Sequence, residues 1–157
     1  MQNSLILASG SPRRRELLSL MGITYQICPA DVDEHMNGAP DEVVMALSRR
    51  KALAVAERHS GCTVLGADTL VACRGEIMGK PQDQQDAMRM LMLLSGGENN
   101  VYTGVTVIDG KTGRVDTRCD QTRVHFVPIT PEAAQRYIDS GEPMDKAGAY
   151  GAQGMGG

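Results

Sequence analysis

Residues able to do chemistry fall into separate clusters along this chain. The first is Ser9-Gly10-Ser11-Pro12-Arg13-Arg14-Arg15, a small-residue turn at the start of a helical pattern. Glycine lets the backbone approach an anion, and a helix start presents unpaired N–H groups and the positive end of its dipole. Arg13 or Arg14 beside it offers a two-toothed fork for phosphate. The same residues also describe an ordinary capped helix with its arginines in water. The second cluster is Gly75-Glu76-Ile77-Met78-Gly79-Lys80-Pro81. It is not a Walker loop, because Arg74 stands where the first glycine belongs and Pro81 replaces the magnesium-binding Ser/Thr. Lys80, held between Gly79 and Pro81, suits a point-charge contact to phosphate; a surface turn lysine is the competing reading.

Carboxylates form the third cluster. Asp68 follows the apolar run Val64-Leu65-Gly66-Ala67, which places it at the C-terminal end of a strand, where α/β sites open. A charge there is rarely without a partner. Asp68 and Glu34 together could hold Mg²⁺, with waters and a substrate phosphate completing the octahedron. A turn cap is the alternative for Asp68, while Asp31 and Asp33 read as a solvated rim. In the tail, Glu142, Asp145 and Lys146 precede Gly148, Gly151 and Gly154, which surround Tyr150 and Gln153. By spacing alone this is a flexible loop. His35, His59 and His125 carry no evident chemistry.

Composition narrows the function classes. At 157 residues the chain reads as a single domain, 1–157, able to build its own core. It has one Phe, four Tyr and no Trp, so the core is aliphatic, ten Met fill irregular gaps, and base-stacking platforms for single-stranded nucleic acid are not expected. A net charge of -3 supplies no global attraction to nucleic acid or anionic lipid. Neither nucleic acid nor a membrane is expected as a partner, and any phosphate must be met in a locally basic pocket. Cys28, Cys62, Cys73 and Cys119 lie far apart with no zinc spacing, consistent with reduced thiols in the cytoplasm.

Strands are expected at Leu5–Ala8, Thr24–Cys28, Thr63–Ala67, Leu70–Cys73, Val101–Ile108 and Arg114–Val127. The expected helices start at Pro12 (burying Leu17, Leu18 and Met21 and stopping at Gly22), Pro40 (to His59), Asp83 (to Leu94) and Pro131 (to Ser140). Ser11 and Thr130 are the expected caps. Met88, Met90 and Met92 read as core or as a dimer interface. The alternation argues for an α/β or α+β domain around a mixed sheet.

In this order the motifs ASGSPRR (8–14), Glu34, SRRKA (48–52), GADT (66–69), GEIMGKP (75–81), SGGENNVYTGV (95–105) and EPMDKAGAYGAQG (142–154) resemble the Maf family over essentially the whole chain. These are nucleoside triphosphate pyrophosphatases first named for septum formation. The resemblance implies an α/β fold similar to the inosine triphosphatase architecture, a mixed twisted sheet with flanking helices lining a deep cleft. It implies hydrolysis of a nucleotide's α–β bond to the monophosphate and pyrophosphate, dependent on a divalent cation, Mg²⁺ or Mn²⁺, in a cytoplasmic homodimer. Carried onto matching positions, Asp68 is the proton acceptor and Lys80 a second catalytic group. Ser9, Arg13, Arg14, Lys51, Thr69, Lys146 and Gln153 bind the nucleoside triphosphate substrate, and Glu34 and Asp68 face the metal.

Arg13, Thr69 and Gln153 match the dTTP/UTP branch; the 7-methyl-GTP branch carries a bulky aromatic, Gln and Glu instead. An amide such as Gln153 donates and accepts, as a pyrimidine edge requires, whereas Glu only accepts. The alternatives are another base preference or a non-catalytic nucleotide-binding regulator of septum formation. Two departures stand out. Asn99-Asn100 occupy a stretch where the family has His. Family members also continue past the position of Gly157 with a strand, a loop ending in GLP and a helix. The chain is therefore expected to lack that C-terminal strand and helix, as a fragment or a truncation supported by dimerisation.

Overall fold

The computed structural model describes residues 4–157. Its elements are β1 (Leu5–Leu7), α1 (Pro12–Leu20), β2 (Tyr25–Ile27), α2 (Pro40–Ala56), β3 (Thr63–Cys73), β4 (Glu76–Met78), α3 (Gln84–Leu94), β5 (Glu98–Asp109), β6 (Val115–His125) and α4 (Pro131–Asp139), followed by short 3₁₀ turns. The strands form one six-stranded sheet in the order β2-β1-β3-β5-β6, with β4 also paired to β3. β1 lies parallel to both β2 and β3, whereas β4 is antiparallel to β3, so the sheet is mixed as expected. No described helix is long and apolar enough to cross a membrane.

The chain divides into two compact units, one of residues 4–68 and 103–120 among those described, the other of 69–102 and 121–157. β3, β5 and β6 each contribute residues to both. In the first unit, Ile6, Ala8, Ala52, Val55, Val64 and Ile108 form a buried aliphatic core, with α2 supplying Ala52 and Val55. On α2, Val44, Leu47 and Val55 are buried. Glycine explains how closely α2 lies on the strands: a Cβ at Gly66 of β3 would stand 2.5 Å from the Ser48 carbonyl oxygen, and one at Gly104 of β5 would stand 2.2 Å from that of Val44. One helical turn separates the two carbonyls, so helix backbone meets sheet backbone over that length. The contact is fastened by hydroxyls, Ser48 Oγ to Thr106 Oγ1 at 2.8 Å and Thr106 Oγ1 to Thr117 Oγ1 at 2.9 Å.

In the second unit α3 packs on α4, and Val71, Met78, Ala87, Met90, Leu91, Leu94, Ala134 and Ile138 form the core. Met88 and Met92 pack against the same cluster, so the methionine run is core. β3 and β4 are joined by Arg74-Gly75, both at positive φ (50° and 79°), the two-residue turn whose twist matches a hairpin. Asp83 caps α3 by accepting from Asp86 N, and Thr130 caps α4 by accepting from Ala133 N.

Several expectations need correction. α1 buries Leu18 alone; Leu17, Leu20 and Met21 are exposed, because a helix of nine residues with one face on the protein covers a single turn's worth of apolar surface. Ser11 makes no side-chain cap bond; its backbone N–H donates to the Ser9 hydroxyl at 3.2 Å. Thr63–Ala67 and Leu70–Cys73 are one continuous strand, so Asp68 lies inside β3 rather than at its end. Its side chain is balanced by a lysine, which removes the penalty that would have broken the strand there. The glycine-rich tail winds into 3₁₀ turns at Glu142–Asp145, Ala147–Ala149 and Gly154–Gly156, with Pro143, Lys146, Gly148 and Ala149 buried.

Candidate active site

The first unit assembles Ser9, Arg14, Glu34, Lys51 and Asp68. β1 ends at Leu7, and the turn to α1 carries Ser9, which is buried. Its hydroxyl accepts from Arg14 Nη1 at 3.0 Å, and the same nitrogen donates to the Ala67 carbonyl at 3.1 Å. Arg14 is therefore drawn back over the end of β1 and the middle of β3. Burial pulls its guanidinium below the ordinary arginine value, Asp68 opposes this, neighbouring Arg13 adds to the lowering, and Glu34 also opposes it. Arg13 thus lies within electrostatic reach of Arg14.

Lys51 is the centre of the arrangement. It projects from α2 one turn beyond Ser48, and its Nζ donates to Asp68 Oδ1 at 2.8 Å while also pairing with Glu34 Oε1. The Lys51 and Asp68 side chains each retain 13% exposure, against 58% for Glu34. Ala52 and Val55 beneath it are fully buried, so the helix holds the base of the lysine fixed. Asp33, in contrast, folds onto its own turn, accepting from His35 N at 2.9 Å; with Asp31 it is exposed, as a rim.

The second unit carries Thr69, Lys80, Lys146 and Gln153. Lys80 is exposed, between Gly79 and the buried Pro81. The tail reaches this turn, with Gly148 N donating to Gly79 O at 3.0 Å. Lys146 is 8% exposed; its Nζ donates to Glu142 O at 2.6 Å and pairs with Asp145 Oδ1 at 3.1 Å. A Cβ at Gly151 would stand 2.9 Å from Lys146 Cε, so glycine lets the chain lie directly on the lysine stem. Gln153 is exposed at the start of the last 3₁₀ turn.

Two parts of this framework were not foreseen. One is the Ser48–Thr106–Thr117 hydroxyl chain, for which isolated glycines at 66 and 104 within strand patterns were the available signal, since such glycines mark close backbone approach. The other is Tyr150, which donates to Asn99 Oδ1 at 2.9 Å and sets its ring edge-on to Phe126 at 4.7 Å. Burial pushes this phenol up to about 12. Nothing in local sequence pattern signals a bond between residues so far apart.

A small-residue turn, a helix start, an indrawn arginine, and a lysine shared by two carboxylates are gathered in the first unit of an α/β fold. The chain belongs to the Maf family: the family model described as Maf-like protein matches residues 4–157. It is 46% identical over 154 residues to a dTTP/UTP pyrophosphatase of Halalkalibacterium halodurans, covering 97% of this chain and 80% of the relative. To another of that name, from Symbiobacterium thermophilum, it is 49% identical over 152 residues, covering 96% of this chain and 77% of the relative. Among solved structures, the Staphylococcus aureus Ham1 protein aligns with a TM-score of 0.48 at 10% identity, over 78% of this chain and 71% of that one.

Proposed function

We infer that this chain is a nucleoside triphosphate pyrophosphatase that hydrolyses dTTP and UTP to the monophosphate and pyrophosphate. The family membership and the near-full-length similarity to dTTP/UTP pyrophosphatases support this reading. The observation that carries it at the level of atoms is the Asp68–Lys51–Glu34 cluster beside the Ser9–Arg14 turn. Displacement at phosphorus asks the protein mainly to position groups and to balance charge, which this set of residues is built to do.

In this proposal Asp68 accepts the proton of the attacking water. Its backbone is fixed in β3 and its carboxylate is already oriented by Lys51. Ser9, Arg13, Arg14 and Lys51 receive phosphate oxygens. On the family resemblance, Lys80 is proposed as a second catalytic group and Thr69, Lys146 and Gln153 as substrate-binding residues, Gln153 through an amide suited to a pyrimidine edge. Glu34 and Asp68 offer two hard oxygen donors, a set that fits Mg²⁺ or Mn²⁺ arriving with several waters and phosphate oxygens of its own. Such an ion, when bound, neutralises charge on the leaving pyrophosphate.

The activity belongs where nucleoside triphosphates are kept, in the cytoplasm, and a homodimer is proposed, supported by the exposed Leu17, Leu20 and Met21 along α1. Asp68→Asn tests the assignment. With dTTP or UTP and Mg²⁺, the wild-type chain releases pyrophosphate and monophosphate in equal amounts. The variant should lose at least about 10²-fold in kcat, the scale of general-base catalysis, while still binding nucleotide. Orthophosphate as the product, or full turnover by the variant, would overturn the reading.

A further inference from the structure

The pairing of Lys51 with both carboxylates has a consequence for how a metal is taken up. Asp68 and Glu34, the two donors available to a cation, are joined by the same ammonium group. No described group of three or more His, Cys, Asp or Glu forms a ready cage elsewhere. Lys51 and Arg14 already balance the two carboxylates, and Arg13 is also within reach of Arg14, so no net negative charge is left to draw in a cation. We propose that Lys51 acts as an internal counter-ion that bars a free divalent cation and admits it only as its nucleotide complex. The inference rests on the proposed function for the identity of the incoming complex.

A bare divalent ion entering between Asp68 and Glu34 must displace the ammonium and then face it at close range. A metal–triphosphate complex retains about two negative charges, since the triphosphate brings about four. It supplies oxygens for Lys51 to turn towards as the carboxylates are released. The lysine therefore changes partner instead of losing one, and a buried stem anchored on α2 confines that change to the end of the side chain. Lys51 is thus a gate on the order of binding as well as a phosphate contact.

The probe is Mn²⁺ alone, titrated into the full chain without nucleotide and followed by the paramagnetic resonance of the free ion. The wild-type chain should bind Mn²⁺ at least tenfold more weakly than Lys51→Met. Lys51→Arg, which keeps the charge, should stay close to wild type. Adding Glu34→Gln to Lys51→Met should abolish the gain. Circular dichroism checks folding, and Lys51→Gln, which can still hydrogen-bond Asp68, replaces the methionine variant if that one fails to fold. Neutral variants that bind Mn²⁺ no better than wild type, an arginine variant that gains as much as they do, or a gain that survives Glu34→Gln would each overturn the proposal. Turnover is not part of this measurement, so failure of the pyrophosphatase assignment leaves a separate signature: absent products in the nucleotide assay.

Discussion

Adding one methyl group at Gly66 should disturb both stability and catalysis. A Cβ there would lie 2.5 Å from the Ser48 carbonyl oxygen, 2.9 Å from Ala52 Cβ and 2.9 Å from Ala52 N, all belonging to α2. Ordinary contact begins near 3.4 Å, so helix and strand must part by about 0.9 Å, and none of the atoms met is the movable tip of a long side chain. Overpacking of this kind costs about 1–3 kcal/mol. The usual gain of about 0.4–1 kcal/mol for replacing glycine where the backbone tolerates it offsets only part of that. Gly66 is not among the positive-φ residues, so the effect comes from contact rather than backbone strain.

The same displacement moves the base of Lys51. Its Nζ stands 2.8 Å from Asp68 Oδ1, and a shift approaching 1 Å takes that pair beyond hydrogen-bond range. Misplacement on this scale lowers turnover by about 10²-fold. Urea unfolding and kcat/KM for UTP measure the two effects on one preparation of Gly66→Ala. Gly79→Ala is the control for stability, because no atom lies within 4 Å of its added Cβ. Unchanged urea midpoint and kcat/KM in Gly66→Ala would refute the view that backbone contact between α2 and β3 sets the position of Lys51.

Two further outcomes follow from the second unit. The Tyr150 phenol, pushed up to about 12 in the folded chain from an ordinary value of 10, holds its proton more tightly folded than unfolded. Its contribution to stability is therefore complete below pH 10 and is lost as pH rises towards 12. Tyr150→Phe should flatten that part of the pH–stability profile and cost about 1–3 kcal/mol at neutral pH, because it strands the buried Asn99 amide, whose Nδ2 already lacks a partner; chemical denaturation across pH 7–12 reads both. Gln153→Glu should lower kcat/KM for UTP and dTTP relative to guanine nucleotides by about 10-fold or more, the scale for losing one donor to a recognised base; an unchanged substrate panel would remove Gln153 from base selection.

Much of the molecule was legible in the linear order of residues. Pro12, Pro40 and Pro131 at helix starts and Gly22 at positive φ after a helix end all act through a few neighbouring bonds, and the structure has them as read. The family motifs named Glu34, Lys51 and Asp68 together because they occur together, although no local rule brings residues 17 apart into one ion pair. Where local reasoning failed, long-range contact was responsible. Asp68 was expected to end a strand, yet β3 continues through it because α2 delivers a lysine to its carboxylate. The tail was expected to be loose, yet Gly148 N bonds Gly79 O, Tyr137 OH accepts from Gly151 N, and Tyr150 reaches Asn99.

Sequence alone thus determined the elements, their punctuation and the residue types fit for phosphate chemistry, because helix starts, turns and hydrophobic periods depend on bonds within a few residues. Tertiary structure decided which charges meet. Only when Gly66 and Gly104 allow α2 to settle on the sheet does one ammonium fall between Glu34 and Asp68, and electrostatic pairing across that distance has no signature in the chain's own order.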